Sequence, residues 1–137
     1  MIYKPYGNTG ATVSAVGFGG MRFYTTLPQS ENADLVLYAQ SKGITYLDTA
    51  PGYCGDQSED ILGCALRQLP RDGFQIATKG MPTEFDTAEK ARAAVCRSLE
   101  RLGVDAIDFY HVWCLRKMEH YELAMRPGGQ YEGLLAC

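Results

Sequence analysis

The sequence lacks the long apolar runs and the cysteine pairs that mark several classes of protein. No stretch approaches the ~18 apolar residues of a membrane span. The residues after Met1 carry no apolar run of the kind that a signal peptide needs. The five cysteines contain no C-x-x-C pair, so they predict neither a disulfide framework nor a metal site. We therefore expect a cytoplasmic protein with no membrane partner.

An excess of charge of either sign is also missing. Thirteen basic and sixteen acidic residues give a formal net charge of −3. A nucleic-acid binder usually carries a basic stripe, so we expect no nucleic-acid partner. The hydrophobic share of 46% is instead typical of a globular chain. At this length we treat residues 1–137 as a single domain.

What the sequence does contain is an alternation of strand and helix patterns. The strands of a parallel sheet are expected at residues 14–17, 44–48, 74–78 and 106–112. Helices are expected from Ser30 to Gly43, after the capping pairs Asp56/Glu59 and Asp86/Glu89, and over residues 117–125 and 130–136. This order predicts an α/β fold built from βαβ units.

Two parallel architectures are compatible with this order, a doubly wound sheet and part of a (β/α)8 barrel. A doubly wound sheet that binds a dinucleotide favours G-x-G-x-x-G after its first strand. Here the corresponding segment, 17–22, ends in Arg22, and no helix pattern begins there. The missing third glycine favours the barrel.

Polar side chains occupy the carboxyl ends of the predicted strands. Asp48 ends the second strand, and Tyr53 lies in the loop after it. Lys79 follows the third strand, and His111 lies near the end of the fourth. Each alone is more often structural, but reactive residues of parallel α/β folds gather at these ends, and four together indicate a site.

The chemistry that suits such a set is carbonyl reduction. A lysine cation next to a tyrosine favours ionisation of the phenol and so assists proton donation. An aspartate keeps the lysine charged, and a histidine can polarise a carbonyl. Because no side chain donates hydride, the interpretation requires a nicotinamide cofactor.

Several short segments carry a family resemblance. They are residues 7–10, 17–21, 48–53, 58–59, 62–63, 78–79 and 108–111. In combination they resemble the N-terminal half of the aldo-keto reductases, which are NADPH-dependent carbonyl reductases. The resemblance implies a (β/α)8 TIM-type barrel truncated to about the first four βα units, with an N-terminal β-hairpin through residues 2–13.

The resemblance also implies a role for each candidate residue. Tyr53 is then the general acid, and Lys79 promotes its ionisation. Asp48 pairs with Lys79, and His111 orients the carbonyl of a small-molecule substrate. The cofactor is NADPH, and the residues expected to border it are Gly20, Met21 and Asp48.

Two departures from the family pattern qualify this interpretation. Many members have glycine after the catalytic tyrosine, where this chain has Cys54. Cys54, Pro51-Gly52 and residues 111–115 together resemble a bacterial subgroup of the family whose C-terminal tail carries an iron–sulfur region. The cysteines here are not clustered as that tail requires, so we expect no cluster and no metal site.

The second departure is length, since a (β/α)8 barrel typically needs ~250 residues. Later strands supply much of the family's cofactor site, so we expect these 137 residues alone to bind NADPH weakly and to reduce carbonyls slowly. The alternative is an inactive half-barrel that acts as a structural or binding module. Its unpaired sheet edges would favour a homo-oligomer.

Overall fold

Strands and helices alternate along the computed structural model, which describes residues 1–137. The strands are β1 (Tyr3–Pro5), β2 (Thr12–Ser14), β3 (Phe18–Gly19), β4 (Tyr46–Asp48), β5 (Gln75–Gly80) and β6 (Phe109–Val112). The helices are α1 (Gln29–Ser41), the short turn α2 (Tyr53–Asp56), α3 (Ser58–Leu66), α4 (Ala88–Leu102), α5 (Met118–Met125) and α6 (Gln130–Leu135). No helix has both the length and the apolar character needed to cross a bilayer.

Four of the strands form one parallel sheet in the order β3-β4-β5-β6. Each strand pairs with the next along the chain, which is the order that successive βαβ units produce. Strands β1 and β2 form a separate antiparallel hairpin. The α/β class, the parallel sheet and the N-terminal hairpin are therefore confirmed.

The first predicted sheet strand is wrong in its position. Residues 12–14 pair with β1, and the first strand of the parallel sheet is β3, four residues further on. The Ser14 hydroxyl explains the break: it donates to the carbonyl of Val16 at 2.7 Å and accepts from the N–H of Thr45 at 2.9 Å. These bonds turn the chain between the hairpin and the sheet, although the polar–apolar alternation continues.

The predicted capping pairs locate the helices but not the capping residues. Helix α4 is capped by Thr87, whose hydroxyl accepts from the N–H of Lys90 at 3.3 Å. Asp86 instead forms an ion pair with the Lys90 ammonium at 2.7 Å. Helix α3 begins at Ser58, so Asp56 lies before its cap and is available for another contact.

The apolar core lies between the sheet and the helices on one of its faces. On this face Leu47 of β4 and Ile76 of β5 are register partners, and both are fully buried. Helices α1, α3 and α4 cover them. The core residues are Phe23, Ala33, Val36, Leu47, Ile61, Leu62, Ala65, Leu66, Phe74, Ile76 and Leu102.

Helices α3 and α4 are in backbone contact at Gly63. A Cβ atom at this position would overlap the carbonyl oxygen of Arg101 and would lie 3.2 Å from the carbonyl oxygen of Leu102. Only glycine allows this approach without displacement of one helix. The contact fixes α3, which follows the Tyr53 turn, against the end of α4.

The opposite face of the sheet carries aromatic and polar side chains. Strand side chains alternate between faces, so Tyr46 and Asp48 of β4 share this face, as do Phe109 and His111 of β6. Tyr6, just after β1, packs on Tyr46 and Phe109 with ring centroids 5.5 Å and 4.3 Å away. The hairpin thus covers the amino ends of the strands and leaves the carboxyl ends accessible.

Candidate active site

Lys79 occupies the carboxyl end of β5 and is 6% exposed. Its ammonium donates to Oδ1 of Asp48 at 2.5 Å and to the carbonyl of Thr49 at 2.8 Å. Asp48 is the register partner of Ala77, so Lys79 lies two residues further along the same face and reaches back to the carboxylate. A buried ammonium needs such partners to offset its loss of hydration. The expected contact between Asp48 and Lys79 is present.

Tyr53 lies beside this ammonium in the loop after β4. The Lys79 Nζ is 4.9 Å from the centroid of the Tyr53 ring and 5.9 Å from that of Trp113. The two rings meet edge to face with centroids 6.1 Å apart. Tyr53 and Lys79 are therefore close, but the cation faces the ring. The hydrogen bonds of the ammonium go to Asp48 and Thr49, and the Tyr53 hydroxyl makes none within the chain.

The Tyr53 loop has an unusual backbone. Gly52, Cys54 and Gly55 have φ values of +80°, +56° and +63°, and Asp56 has +66°. Positive φ costs a non-glycine residue about 1–3 kcal/mol and persists only where surrounding contacts enforce it. The loop must therefore be held by specific contacts.

Asp56 and Arg101 supply those contacts. Asp56 Oδ1 accepts from the N–H of Gly52 at 3.0 Å, which closes the loop around Tyr53. The same atom accepts from Nη1 of Arg101 at 2.7 Å, and Arg101 Nη2 also donates to the Asp56 carbonyl. The hydrogen bond from Arg101, followed by that from Gly52, lowers the pKa of Asp56. Arg101 thus ties the Tyr53 loop to α4.

Arg101 also contacts two acidic residues of α3. Its Nη2 donates to Asp60 Oδ2 at 2.8 Å, and its Nη1 lies 3.4 Å from Glu59 Oε2. Glu59 is 1% exposed and also accepts from the Thr78 hydroxyl at 2.9 Å. These contacts neutralise a carboxylate on the helix side of the sheet, behind the candidate site.

His111 lies next to Lys79 on the adjacent strand, as its register partner. Its side chain makes no hydrogen bond to Tyr53. Instead His111 Nε2 lies 3.3 Å from the hydroxyl of Tyr46. The structure thus places His111 beside Lys79 and Lys79 beside the Tyr53 ring, and no hydrogen bond joins these three side chains.

Gly20 and Met21, the expected cofactor-bordering residues, lie directly after β3. The buried Gly20 has no room for a side chain, because a Cβ there would lie 2.6 Å from Ser58 Oγ and 3.3 Å from the Asp48 carbonyl. The Gly20 carbonyl accepts from Ser58 Oγ at 2.8 Å and from Cys54 Sγ at 3.4 Å. Met21 is exposed at the same end of the sheet.

Sequence reasoning missed two residues of this region, Tyr46 and Arg101. Tyr46 precedes Asp48 by two positions, so strand alternation already places both on one face. That spacing was the available signal. Arg101 lies 45 residues from Asp56, and no local pattern connects them.

The sequence matches the model of the Aldo/keto reductase family over residues 15–126. L-galactose dehydrogenase of Arabidopsis thaliana is 41% identical over 116 residues, covering 79% of this chain and 36% of that protein. The NADH-specific methylglyoxal reductase of Escherichia coli (strain K12) is 36% identical over 129 residues, covering 77% of this chain and 40% of that protein. The chain thus spans less than half the length of each of these relatives.

Solved structures give the same assignment. A crystal structure of a Pseudomonas aeruginosa protein described as an aldo-keto reductase matches with a TM-score of 0.81 at 33% identity, over 98% of this chain and 54% of that one. A Bombyx mori aldo-keto reductase in complex with NADP matches with a TM-score of 0.63 at 25% identity, over 77% of this chain and 36% of that one. Members of this family are oxidoreductases that use NAD(P)H. The chain, whose four-stranded α/β fold corresponds to part of these structures, therefore belongs to the aldo-keto reductase family.

Proposed function

We propose that this chain provides the reacting residues of an NADPH-dependent reductase of small aldehydes or ketones. The observation that carries the proposal is the nearly buried ammonium of Lys79, held by Asp48 and facing the ring of Tyr53. We assign the activity to the cytoplasm as part of the same proposal. All five cysteines are free thiols, which suits a reducing compartment.

In this proposal Tyr53 delivers a proton to the carbonyl oxygen of the substrate. Its hydroxyl has no partner within the chain, so it is available to donate to a bound oxygen. As the proton leaves, negative charge develops on the phenolic oxygen. The Lys79 ammonium stabilises that charge because it is fixed close to the ring and largely removed from water.

Asp48 and His111 have supporting roles. Asp48 holds the Lys79 side chain in place and balances its charge, since the ion pair is short and the lysine is nearly buried. His111 lies on the neighbouring strand at the same level, where its ring can bind and orient the substrate carbonyl. When the carbonyl is already oriented, the entropy cost of aligning it with the proton donor is not paid during the reaction step.

The residues at the end of β3 fit the nicotinamide end of the cofactor. A Cβ atom at Gly19 would meet no atom within 4 Å, so a flat ring can approach the backbone here. Gly20, Met21 and Asp48 would hold that ring next to Tyr53. When bound, the cofactor supplies the hydride that no side chain can provide.

The test is the reduction of a reactive aromatic aldehyde by this chain with NADPH and with NADH, together with fluorescence titration of both nucleotides. We expect slow aldehyde-dependent oxidation of NADPH and weak nucleotide binding, because these residues span less than half the length of the relatives. Tyr53→Phe should lower kcat by roughly 10²–10⁴-fold, the range for loss of a general acid. Nucleotide binding should remain, because the change removes only the hydroxyl.

The matched control is Tyr38→Phe, which removes an exposed hydroxyl on α1, a helix that covers the apolar face of the sheet. It should reduce the aldehyde at the rate of the wild type. Absence of aldehyde-dependent turnover in the wild type would contradict the proposal, as would full activity in Tyr53→Phe.

A second candidate function is self-association as a binding or structural module. It is favoured by the sheet, in which β3 and β6 each pair on one side only. Unpaired strand edges are templates for pairing with another chain. A monodisperse homo-oligomer in sedimentation analysis, without aldehyde reduction, would support this candidate instead.

A further inference from the structure

The carbonyl of Gly20, directly after β3, accepts two side-chain hydrogen bonds. Ser58 Oγ donates to it at 2.8 Å, and Cys54 Sγ donates at 3.4 Å. Ser58 is completely buried, and Gly20 is buried as well. A Cβ atom at Gly20 would lie 2.6 Å from Ser58 Oγ, so the two residues are in close contact. The end of β3 is therefore attached to the Tyr53 loop and to the start of α3.

Ser58 also contacts the chain just after β4. Its Oγ lies 2.7 Å from the hydroxyl of Thr49, which is completely buried. A serine hydroxyl has one hydrogen and a carbonyl oxygen has none, so the Ser58 hydrogen goes to Gly20 and Thr49 donates to Ser58. The Thr49 carbonyl in turn accepts from the Lys79 ammonium at 2.8 Å. These contacts connect Gly20, through Ser58 and Thr49, to Lys79.

The segment that follows β3 is attached at its other end too. Asn32 of α1 is completely buried, its Oδ1 accepts from the N–H of Tyr24 at 3.0 Å, and its Nδ2 donates to the Tyr24 carbonyl at 2.9 Å. Between the two attachments Phe23 is buried in the apolar core, and Met21 is exposed. Residues 20–24 therefore form a support that buried polar side chains fix at both ends.

We propose that Ser58 is a positioning residue that fixes the Gly20 carbonyl relative to Lys79. It thereby holds the end of β3 that we assign to the nicotinamide, and the thiol of Cys54 contributes a weaker bond to the same oxygen. This role rests on the proposed carbonyl reduction, in which hydride and the Tyr53 proton must reach one carbonyl group. The rate of such a reaction depends on how closely the reacting groups are held. The contact itself does not depend on activity.

The first experiment observes the Gly20 carbonyl directly. The sequence contains two Gly-Met pairs, Gly20-Met21 and Gly80-Met81. When glycine carries carbon-13 at its carbonyl and methionine carries nitrogen-15, a spectrum that correlates each amide with the preceding carbonyl contains two signals. The carbon of a carbonyl that loses a hydrogen bond shifts upfield. We therefore expect Ser58→Ala to move the Gly20 carbonyl signal upfield.

The Gly80 signal is the internal reference. Its carbonyl accepts from the N–H of Trp113 at 2.9 Å and from Nε2 of Gln130 at 3.0 Å, so Ser58→Ala should leave the signal in place. The matched control variant is Ser98→Ala, which removes a completely buried hydroxyl that has no hydrogen-bond partner. It should move neither signal.

A second variant covers the case in which Ser58→Ala does not fold. Thr49→Val conserves the shape of the side chain but removes the hydroxyl that donates to Ser58. Because linked hydrogen bonds strengthen one another, the Gly20 signal should again move upfield, though less. An unchanged Gly20 signal in folded Ser58→Ala would overturn the proposal. Where that variant does not fold, an unchanged signal in Thr49→Val would overturn it.

The second experiment links the contact to the reaction. We expect Ser58→Ala to lower kcat for aldehyde reduction by roughly two- to tenfold, the effect of one hydrogen bond. The isotope effect on kcat with NADPH deuterated at the transferred hydrogen should rise, whereas a smaller folded fraction alone would leave it unchanged. Ser98→Ala should keep both values of the wild type. A moved Gly20 signal with an unchanged isotope effect would overturn the positioning role. A wild type without turnover would contradict the proposed function, while the Gly20 signal would still decide the contact.

Discussion

The two faces of the parallel sheet are built from different kinds of residue. The face under α1, α3 and α4 is apolar, and Leu47 and Ile76 at its centre are completely buried. The opposite face carries Asp48, Lys79 and His111, which neighbouring strands bring together at their carboxyl ends. One face accounts for stability, and the other presents chemical groups. Consecutive residues of one strand therefore have separable roles.

Lys79→Met should give the largest effect, because it changes only the face that presents chemical groups. Methionine has a similar length but no charge, so nothing stabilises negative charge on Tyr53, and Asp48 loses its partner. We expect aldehyde reduction to fall by roughly 10²–10³-fold, as for loss of a key electrostatic contact. The measurement is kcat with NADPH in excess, with circular dichroism to verify folding. A folded Lys79→Met variant with the kcat of the wild type would contradict the role assigned to Lys79.

Thr78→Val tests the other face at the adjacent position. It removes the hydrogen bond that the Thr78 hydroxyl donates to Glu59. Glu59 is 1% exposed, and its carboxylate would then keep the ion pair with Arg101. We expect the free energy of unfolding to fall by about 1–3 kcal/mol, the usual cost of a lost partner for a buried polar group. The measurement is urea denaturation. Loss of aldehyde reduction without loss of stability would show that the two faces are not separable.

Asp56→Asn should give the smallest effect, with a defined pH dependence. The Arg101 hydrogen bond lowers the folded-state pKa of Asp56, so the charged carboxylate stabilises the fold above its unfolded pKa of about 4. This contribution disappears as the pH falls through the lowered value. Because the side chain is 65% exposed, we expect less than about 1 kcal/mol at neutral pH.

Urea denaturation at neutral pH and in acid measures this contribution. The stability difference between the wild type and Asp56→Asn should shrink in acid. The control Asp34→Asn changes an exposed carboxylate of α1 that forms no ion pair, and it should show no such trend. A difference that grows on acidification would contradict the assigned contact between Asp56 and Arg101.

Much of the fold could be predicted because its signals are local. The expected strands at 44–48 and 74–78 overlap β4 and β5, since β-branched and alternating residues mark them. The strand expected at 14–17 failed because Ser14 bonds to Thr45, 31 residues away. Local alternation contains no information about such a contact.

The same limit applies to the candidate site. The rule that reactive residues follow parallel strands brought Asp48 and Lys79 together, because strand register alone sets their distance. The orientation of Tyr53 depends on the positive φ values of its loop, and the Tyr46 contact depends on reach across a whole strand. Both arise from tertiary packing and have no counterpart in spacing along the sequence.

The backbone contact at Gly63 has a consequence for mutational tolerance. A side chain there would force α4 away from α3, and Arg101 would move with α4. Its bonds to Asp56 would open, and the loop that carries Tyr53 would lose its attachment to α4. A mutational screen that measures aldehyde reduction would then identify Gly63 as well as the proposed acid, Tyr53, as sensitive to substitution. The side chain of Gly63 is nevertheless a single hydrogen atom. Positions that do not tolerate substitution in this protein therefore include residues that hold the Tyr53 loop in place, as well as the residues that react.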